Sequence, residues 1–133
     1  MIKLFIGAKG SGKTKTLIEL VNNAVETSKG NVVCIEKGDK LIHDITYKAR
    51  LIDTDAYAVS DAVSLYGFIA GILASNSDIT DIFVDGSLKI VKNDLAAYEV
   101  MLEKLSKIAE NINLIMTASI AVEDCPEAIK AYT

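Results

Sequence analysis

Eight residues near the start of the chain place three glycines, a lysine and a threonine at a spacing that suits phosphate chemistry. The pattern is G-x-x-x-x-G-K-[ST], and it is filled by Gly7-Ala8-Lys9-Gly10-Ser11-Gly12-Lys13-Thr14. Gly7 and Gly12 permit backbone angles that a side chain would disfavour, and Gly10 keeps the loop slim. Successive N–H groups can then point inward and surround an anion. All eight residues, here named the glycine loop, are therefore predicted to bind phosphate.

Two side chains of the glycine loop have predicted roles of their own. Lys13 would reach the β- and γ-phosphates of a nucleotide, and the Thr14 hydroxyl would bind Mg²⁺. A helix beginning near Lys13 would aim its positive end at the same place. Lys9 and Ser11 stand at variable positions, so only their backbone is predicted to take part. Because it would contact the phosphates that react, Lys13 is predicted to be a catalytic residue as well as a binding residue.

A carboxylate that follows a later apolar run would complete a magnesium site. The run Ile79-Thr80-Asp81-Ile82-Phe83-Val84 leads into Asp85-Gly86. In a parallel sheet Asp85 would emerge at the carboxyl edge, where the glycine loop also lies, and would hold a magnesium-bound water. The other interpretation is that Asp85 only begins a turn with Gly86. Asp81 precedes the apolar core of the run and is predicted to be a solvated turn residue.

Strands and helices that alternate along the chain must position these groups. The predicted strands are Ile2–Ile6, Val32–Ile35, Arg50–Ile52, Thr80–Val84 and Asn113–Thr117. The predicted helices are Lys13–Thr27, Asp61–Ser75 capped by Ser60, a helix from Asn93 or Asp94 to Glu110, and a terminal helix from Pro126 to about Ala131. Apolar strands between helices indicate a parallel sheet covered on both faces. We therefore predict one α/β domain over residues 1–133, a three-layer α/β/α sandwich whose mostly parallel sheet has four to five strands. Apart from the short strand Arg50–Ile52, the mixed, polar stretch Lys37–Thr54 receives no secondary-structure prediction.

The apolar faces of the helices predict how they pack. The first helix would bury Leu17, Leu20, Val21 and Ala24, and the helix near residue 100 would bury Leu95, Tyr98, Leu102, Leu105 and Ile108. The helix Asp61–Ser75 is apolar almost all round. It is predicted to be buried on more than one side, and the alternative is that part of it covers a neighbouring subunit.

At Gly7–Thr14 and Ile82–Asp85 the chain resembles the P-loop NTPase superfamily. With Glu36 and the polar end of the last strand it is most similar to the RecA-like branch, and it also resembles a group of small, stand-alone bacterial P-loop proteins. The resemblance implies the P-loop NTPase fold, with ATP and Mg²⁺ as ligands. RecA-like domains often carry a further strand after the last one predicted here, so the sheet is expected to be truncated.

The resemblance also implies residues for hydrolysis. Many P-loop ATPases carry a glutamate directly after the strand aspartate, where this chain has Gly86. RecA-like ATPases carry a catalytic glutamate after the strand that follows the P-loop helix, and Glu36 stands at the similar position. Glu36 is therefore the predicted base, and an ordinary exposed carboxylate is the alternative. Thr117, and after it Ser119, are candidates to sense the γ-phosphate, unless their hydroxyls only satisfy local backbone.

Composition restricts the classes of partner. The chain has 133 residues, half of them hydrophobic, and a net charge of −4. No cluster of basic residues stands out along the sequence, and Arg50 is the only arginine, so strong nucleic-acid binding by this domain alone is not expected. Cys34 and Cys125 lack metal-ligand spacing and are expected to be reduced thiols. No apolar stretch is long enough to span a membrane, and no signal peptide is visible, which favours a cytoplasmic protein.

Two functions from different classes remain open. The first is a slow ATP hydrolase, whose site a protein partner or self-assembly could complete. The second is a nucleotide-binding regulatory module without turnover. GTPase motifs are absent after Asp85 and at Val91–Asp94, and one arginine is too few for the lid of a nucleotide-monophosphate kinase. Arg50 could act across a subunit interface, but a surface position is favoured, as it is for His43, the only histidine.

Overall fold

Five strands form one all-parallel sheet in the computed structural model, which describes residues 1–133. The strands are β1 (Ile2–Gly7), β2 (Asn31–Glu36), β3 (Arg50–Asp53), β4 (Ile79–Val84) and β5 (Asn113–Ser119). The α-helices are α1 (Lys13–Thr27), α2 (Ala62–Ser75), α3 (Ser87–Ile90), α4 (Leu95–Ile108) and α5 (Glu127–Lys130). The predictions of an α/β fold and of a parallel sheet of four to five strands are confirmed.

Neighbouring residues of a strand enter different cores, because side chains alternate across a sheet. In β2, Val33 and Ile35 belong to a core of 23 buried residues that also takes residues of α2 and α4. Val32 and Cys34 belong to a second core of nine, to which α1 contributes Leu17, Val21 and Ala24. The sheet thus has a separate apolar core on each face, an arrangement compatible with three layers.

The strand order β1-β5-β4-β2-β3 decides which residues meet at the carboxyl edge of the sheet. β5 lies between β1 and β4, with Gly7 beside Ser119 and Val84 beside Met116. β2 lies on the other side of β4, with Ile35 beside Val84. Because all strands run in one direction, the segments that follow β1, β2, β4 and β5 emerge together.

Side-chain caps set the starts of two helices. Asp61 caps α2, because its side chain accepts a hydrogen bond from the Ser64 N–H. The Ser64 hydroxyl accepts the Asp61 N–H, which completes a capping box. The predicted cap Ser60 is therefore wrong by one residue. Asp94, one of the two predicted starts of the helix near residue 100, caps α4 through the Ala97 N–H.

The structure corrects the sequence prediction for Asp81. β4 begins at Ile79, so Asp81 lies inside the strand and is only 9% exposed. Its carboxylate accepts bonds from the Thr80 hydroxyl at 2.7 Å and from the Asn113 amide of β5 at 3.2 Å. These donors stabilise a carboxylate where the sequence alone indicated a solvated turn.

The predicted burial of the helix faces is confirmed in part. On α4, Tyr98, Leu102 and Leu105 are buried as predicted, but Ile108 is 38% exposed and Ala109 takes the buried place at that turn. On α2 the burial is one-sided, since Val63 is 81% exposed. No helix of the protein combines the length and apolar character that crossing a bilayer requires.

Candidate functional site

The glycine loop leads from β1 directly into α1. Gly10 and Gly12 adopt φ angles of 84° and 91°, which side chains rarely tolerate. A Cβ on Gly10 would meet no atom within 4 Å, so glycine is required there for its backbone angle rather than for the slimness that the sequence suggested. Gly12 then stands as the cap residue of α1 without a side-chain bond to the helix.

The start of α1 presents unpaired N–H groups to the space in front of the loop. α1 has 15 residues and begins at Lys13, so the N–H groups of Lys13, Thr14 and Lys15 have no intrahelical acceptor. The first turn carries no acidic side chain that would neutralise the positive helix end. This combination suits an anionic ligand.

The Lys13 ammonium lies across the glycine loop. Its Nζ donates to the Ala8 carbonyl at 3.0 Å and contacts the Ser11 hydroxyl at 3.3 Å. Burial lowers the pKa of Lys13, and the nearby Asp85 charge partly opposes that effect. The weak, exposed contact with Ser11 leaves the flexible side chain free to exchange these partners for a phosphate.

Asp85 connects the glycine loop to the sheet. The Thr14 hydroxyl lies 3.2 and 3.3 Å from its two carboxylate oxygens. From the other side, the Thr117 hydroxyl donates to Asp85 at 2.8 Å while accepting the Gly86 N–H at 2.8 Å. Three segments that are distant in sequence therefore converge on one carboxylate.

Thr117 lies behind Asp85 rather than in the open space before it. It is 2% exposed, and its hydroxyl is engaged both as donor and as acceptor. Ser119, the second candidate on β5, is exposed and faces the cleft described below. The geometry thus gives Thr117 the position of a residue that orients Asp85, and leaves Ser119 as the hydroxyl that a ligand could touch.

Thr14 and Asp85 fit a magnesium ion. A hydroxyl and a carboxylate are hard oxygen ligands, and Mg²⁺ in proteins is commonly held by one or two such groups together with waters and substrate phosphates. Nowhere in the chain do three His, Cys, Asp or Glu side chains gather around one point. A bound Mg²⁺ would therefore complete its coordination with water and phosphate oxygens.

Glu36 ends β2 at the same edge and is not an ordinary exposed carboxylate. It is 3% exposed, and one of its oxygens accepts the Leu41 N–H at 3.0 Å. Burial raises the pKa of Glu36, and the charge of Asp85 adds to the rise. The side chain both anchors the segment after β2 and borders the open space in front of the glycine loop.

A cleft of about 590 Å³ at the carboxyl edge of the sheet is lined by these groups except the buried Thr117, namely by Lys13, Thr14, Glu36, Asp85 and Ser119. Besides Glu36 and Asp85 it carries six lysines, which come from three separate segments: Lys9, Lys13, Lys15, Lys37, Lys40 and Lys89. The sequence alone indicated a side-chain role only for Lys13, because Lys9 stands at a variable position of the glycine loop and Lys37, Lys40 and Lys89 lie far from that loop along the chain. Lys37 had a usable signal, since it stands two residues after the predicted end of a strand at Ile35.

Several residues considered from the sequence lie elsewhere. His43 is exposed, as predicted. Arg50 is also exposed and begins β3, so it lies toward the opposite edge of the sheet and does not line the cleft. Cys34 and Cys125 are buried free thiols, and burial raises the pKa of Cys34 to about 12. None of these four side chains borders the cleft.

Comparison with protein-family models and with curated proteins gave no match for this chain.

We predict that Glu36→Gln stabilises the protein at neutral pH. The pKa of Glu36 is higher in the folded state than in the unfolded state. The free energy of unfolding therefore falls as the pH rises from the unfolded-state pKa through the folded-state pKa. Glutamine removes this ionisation while its oxygen can still accept the Leu41 N–H. The melting temperature of Glu36→Gln should therefore exceed that of the wild type at pH 8 by a few degrees, and the difference should vanish near pH 4.

The exposed Glu99 of α4 offers the matched control, because Glu99→Gln makes the same chemical change without burial. Thermal unfolding of the three proteins across this pH range gives the comparison. A Glu36→Gln protein that is less stable than wild type at pH 8 would contradict the assigned cause of the raised pKa.

Proposed function

We propose that this protein binds a nucleoside triphosphate, with ATP as the expected ligand, together with Mg²⁺, and hydrolyses it slowly. The observation that carries the proposal is that Lys13 and Thr14, in the first turn of α1, line one cleft together with Asp85, which contacts the Thr14 hydroxyl. A phosphate chain requires positive charge, N–H donors and a metal site within a few ångströms of one another. This cleft offers all three.

The proposal gives each group one task. The free N–H groups at the start of α1 and the Lys13 ammonium would bind the phosphate oxygens. Thr14 and Asp85 would hold the Mg²⁺, and Thr117 would keep the Asp85 carboxylate oriented. Mg²⁺ would supply charge that stabilises the negative phosphates during transfer.

We further assign the chain to the P-loop NTPase fold and to its RecA-like branch. The strand order supports this assignment, because β5 lies between the strand that precedes the glycine loop and the strand that ends before Asp85. In ATPases of this arrangement the end of that middle strand reaches the γ-phosphate. Ser119 occupies the corresponding place at the cleft.

Glu36 is the proposed base for hydrolysis. It is the only carboxylate besides Asp85 that lines the cleft, and its raised pKa makes it a better proton acceptor than an exposed carboxylate. A water between Glu36 and the terminal phosphate would be oriented by this group. Turnover is proposed to be slow because Gly86 leaves the more common position of the base without a side chain.

One observation favours the second function, a nucleotide-binding regulatory or interaction module without hydrolysis. Glu36 already accepts the Leu41 N–H, so its carboxylate has a structural task in holding the segment after β2. A partner protein or a second copy of the chain would then be needed to complete a hydrolytic site. Measurements of turnover separate the two functions.

Binding should depend on Lys13. Lys13→Ala removes a charge-assisted contact to phosphate, so we expect the affinity for Mg·ATP to fall about 100-fold or beyond detection. Isothermal titration calorimetry measures this loss. Lys107→Ala, which removes an exposed lysine of α4 outside the cleft, is the control and should bind like the wild type. Undiminished binding by Lys13→Ala would refute the proposed phosphate site.

Hydrolysis should depend on Glu36. Glu36→Gln keeps the size of the side chain and removes the base, so phosphate release should slow by about 100-fold while Mg·ATP still binds. A colorimetric phosphate assay over a range of protein concentrations provides the rates, with Glu99→Gln as control. Equal turnover by Glu36→Gln would eliminate Glu36 as the base. Binding without turnover by the wild type at every concentration would favour the regulatory module.

A further inference from the structure

The cleft has little apolar surface around the proposed phosphate site. Of its 16 lining residues only Leu41 and Leu88 are hydrophobic, and both are themselves almost fully buried, at 4% and 2% exposed. No aromatic side chain lines it. A nucleobase is commonly held by an apolar or aromatic surface together with a few fixed polar groups. This cleft offers hardly any such surface to a base.

Charge dominates the lining instead. Six lysines face two carboxylates, in a chain whose net charge is −4. Lys37 is ion-paired with Asp55 at 2.7 Å, whereas Lys9, Lys15, Lys40 and Lys89 have no ion-pair partner. The unpaired lysines therefore leave positive charge around the glycine loop beyond what Lys13 alone supplies.

Lysine recognises charge rather than shape. Its ammonium is a compact charge on a flexible stem, unlike the planar fork of arginine, which requires a matching geometry. The stems can lie against any base without distinguishing one from another. Outside the glycine loop, the neutral side chains that could read the edge of a base are Asn93 and Ser119, and both are exposed.

From these observations we infer that the site selects the polyphosphate chain and not the base. The inference rests on the proposed function and names its substrate class as any Mg²⁺-bound triphosphate, whether a nucleoside triphosphate or inorganic tripolyphosphate. A site built to hydrogen-bond one base would reject the others by orders of magnitude. This cleft has no such set of fixed groups, so the energy of binding comes from the phosphates.

Competition calorimetry with ATP, GTP, CTP and tripolyphosphate, each with excess free Mg²⁺, tests the inference. The three nucleotides should bind within about threefold of one another, and tripolyphosphate within about tenfold of ATP. ATP that binds at least about tenfold more tightly than GTP and CTP, or tripolyphosphate that fails to displace it, would overturn the inference and leave the proposed function standing. If ATP itself does not bind, the proposed function fails.

Two sets of variants locate the source of the affinity. Replacing Lys40 and Lys89 together by glutamine should weaken all four ligands by a similar factor of about three or more, and should reduce the sensitivity of binding to salt. The paired change of Lys104 and Lys107, which lie outside the cleft, is the control.

Asn93→Gly, which suits the positive φ of 59° at that position, should leave the ratio of ATP to GTP affinity unchanged. A changed ratio would show that Asn93 reads the base, contrary to the inference.

Discussion

The carboxylate of Asp85 is the contact on which the arrangement of the site depends. It accepts hydrogen bonds from the Thr14 hydroxyl of the glycine loop and from the Thr117 hydroxyl of β5. The Thr117 hydroxyl in turn accepts the N–H of Gly86, the residue that follows Asp85. Thr117 is buried on the sheet side of this network, while Thr14 is exposed on the cleft side. The Asp85 carboxylate is therefore held by a buried donor on one side and borders the cleft on the other.

This contact is possible because the sheet is parallel and β5 lies between β1 and β4. The order brings the glycine loop, Asp85 and the end of β5 to one edge, and places Glu36 beyond β4. The apolar side chains alternate between the two faces of the sheet, and this alternation holds helices on both faces. Val33 and Ile35 face one core and Val32 and Cys34 face the other, so α1 is anchored on one face while α2 and α4 cover the second.

Much of this could be predicted from the sequence because the signals are local. The spacing of glycines with Lys13 and Thr14, and an apolar strand that ends in Asp85, both lie within a few consecutive residues. The short helix α3 was missed because four residues are too few to show a helical period. Asp81 was misplaced because its stabilising partner Asn113 lies on another strand. The lysines of the cleft could not be grouped for the same reason, since their proximity depends on how the strands are ordered.

We propose that a Mg²⁺-bound triphosphate occupies the cleft between Lys13 and Asp85. A crystal structure with a non-hydrolysable ATP analogue and Mg²⁺ tests it most directly. We expect phosphates against the first N–H groups of α1 and the Lys13 ammonium moved from the Ala8 carbonyl to a phosphate. Mg²⁺ should be bound by the Thr14 hydroxyl with Asp85 beside it. An analogue bound elsewhere, with the Thr14–Asp85 and Lys13–Ala8 contacts unchanged, would contradict it.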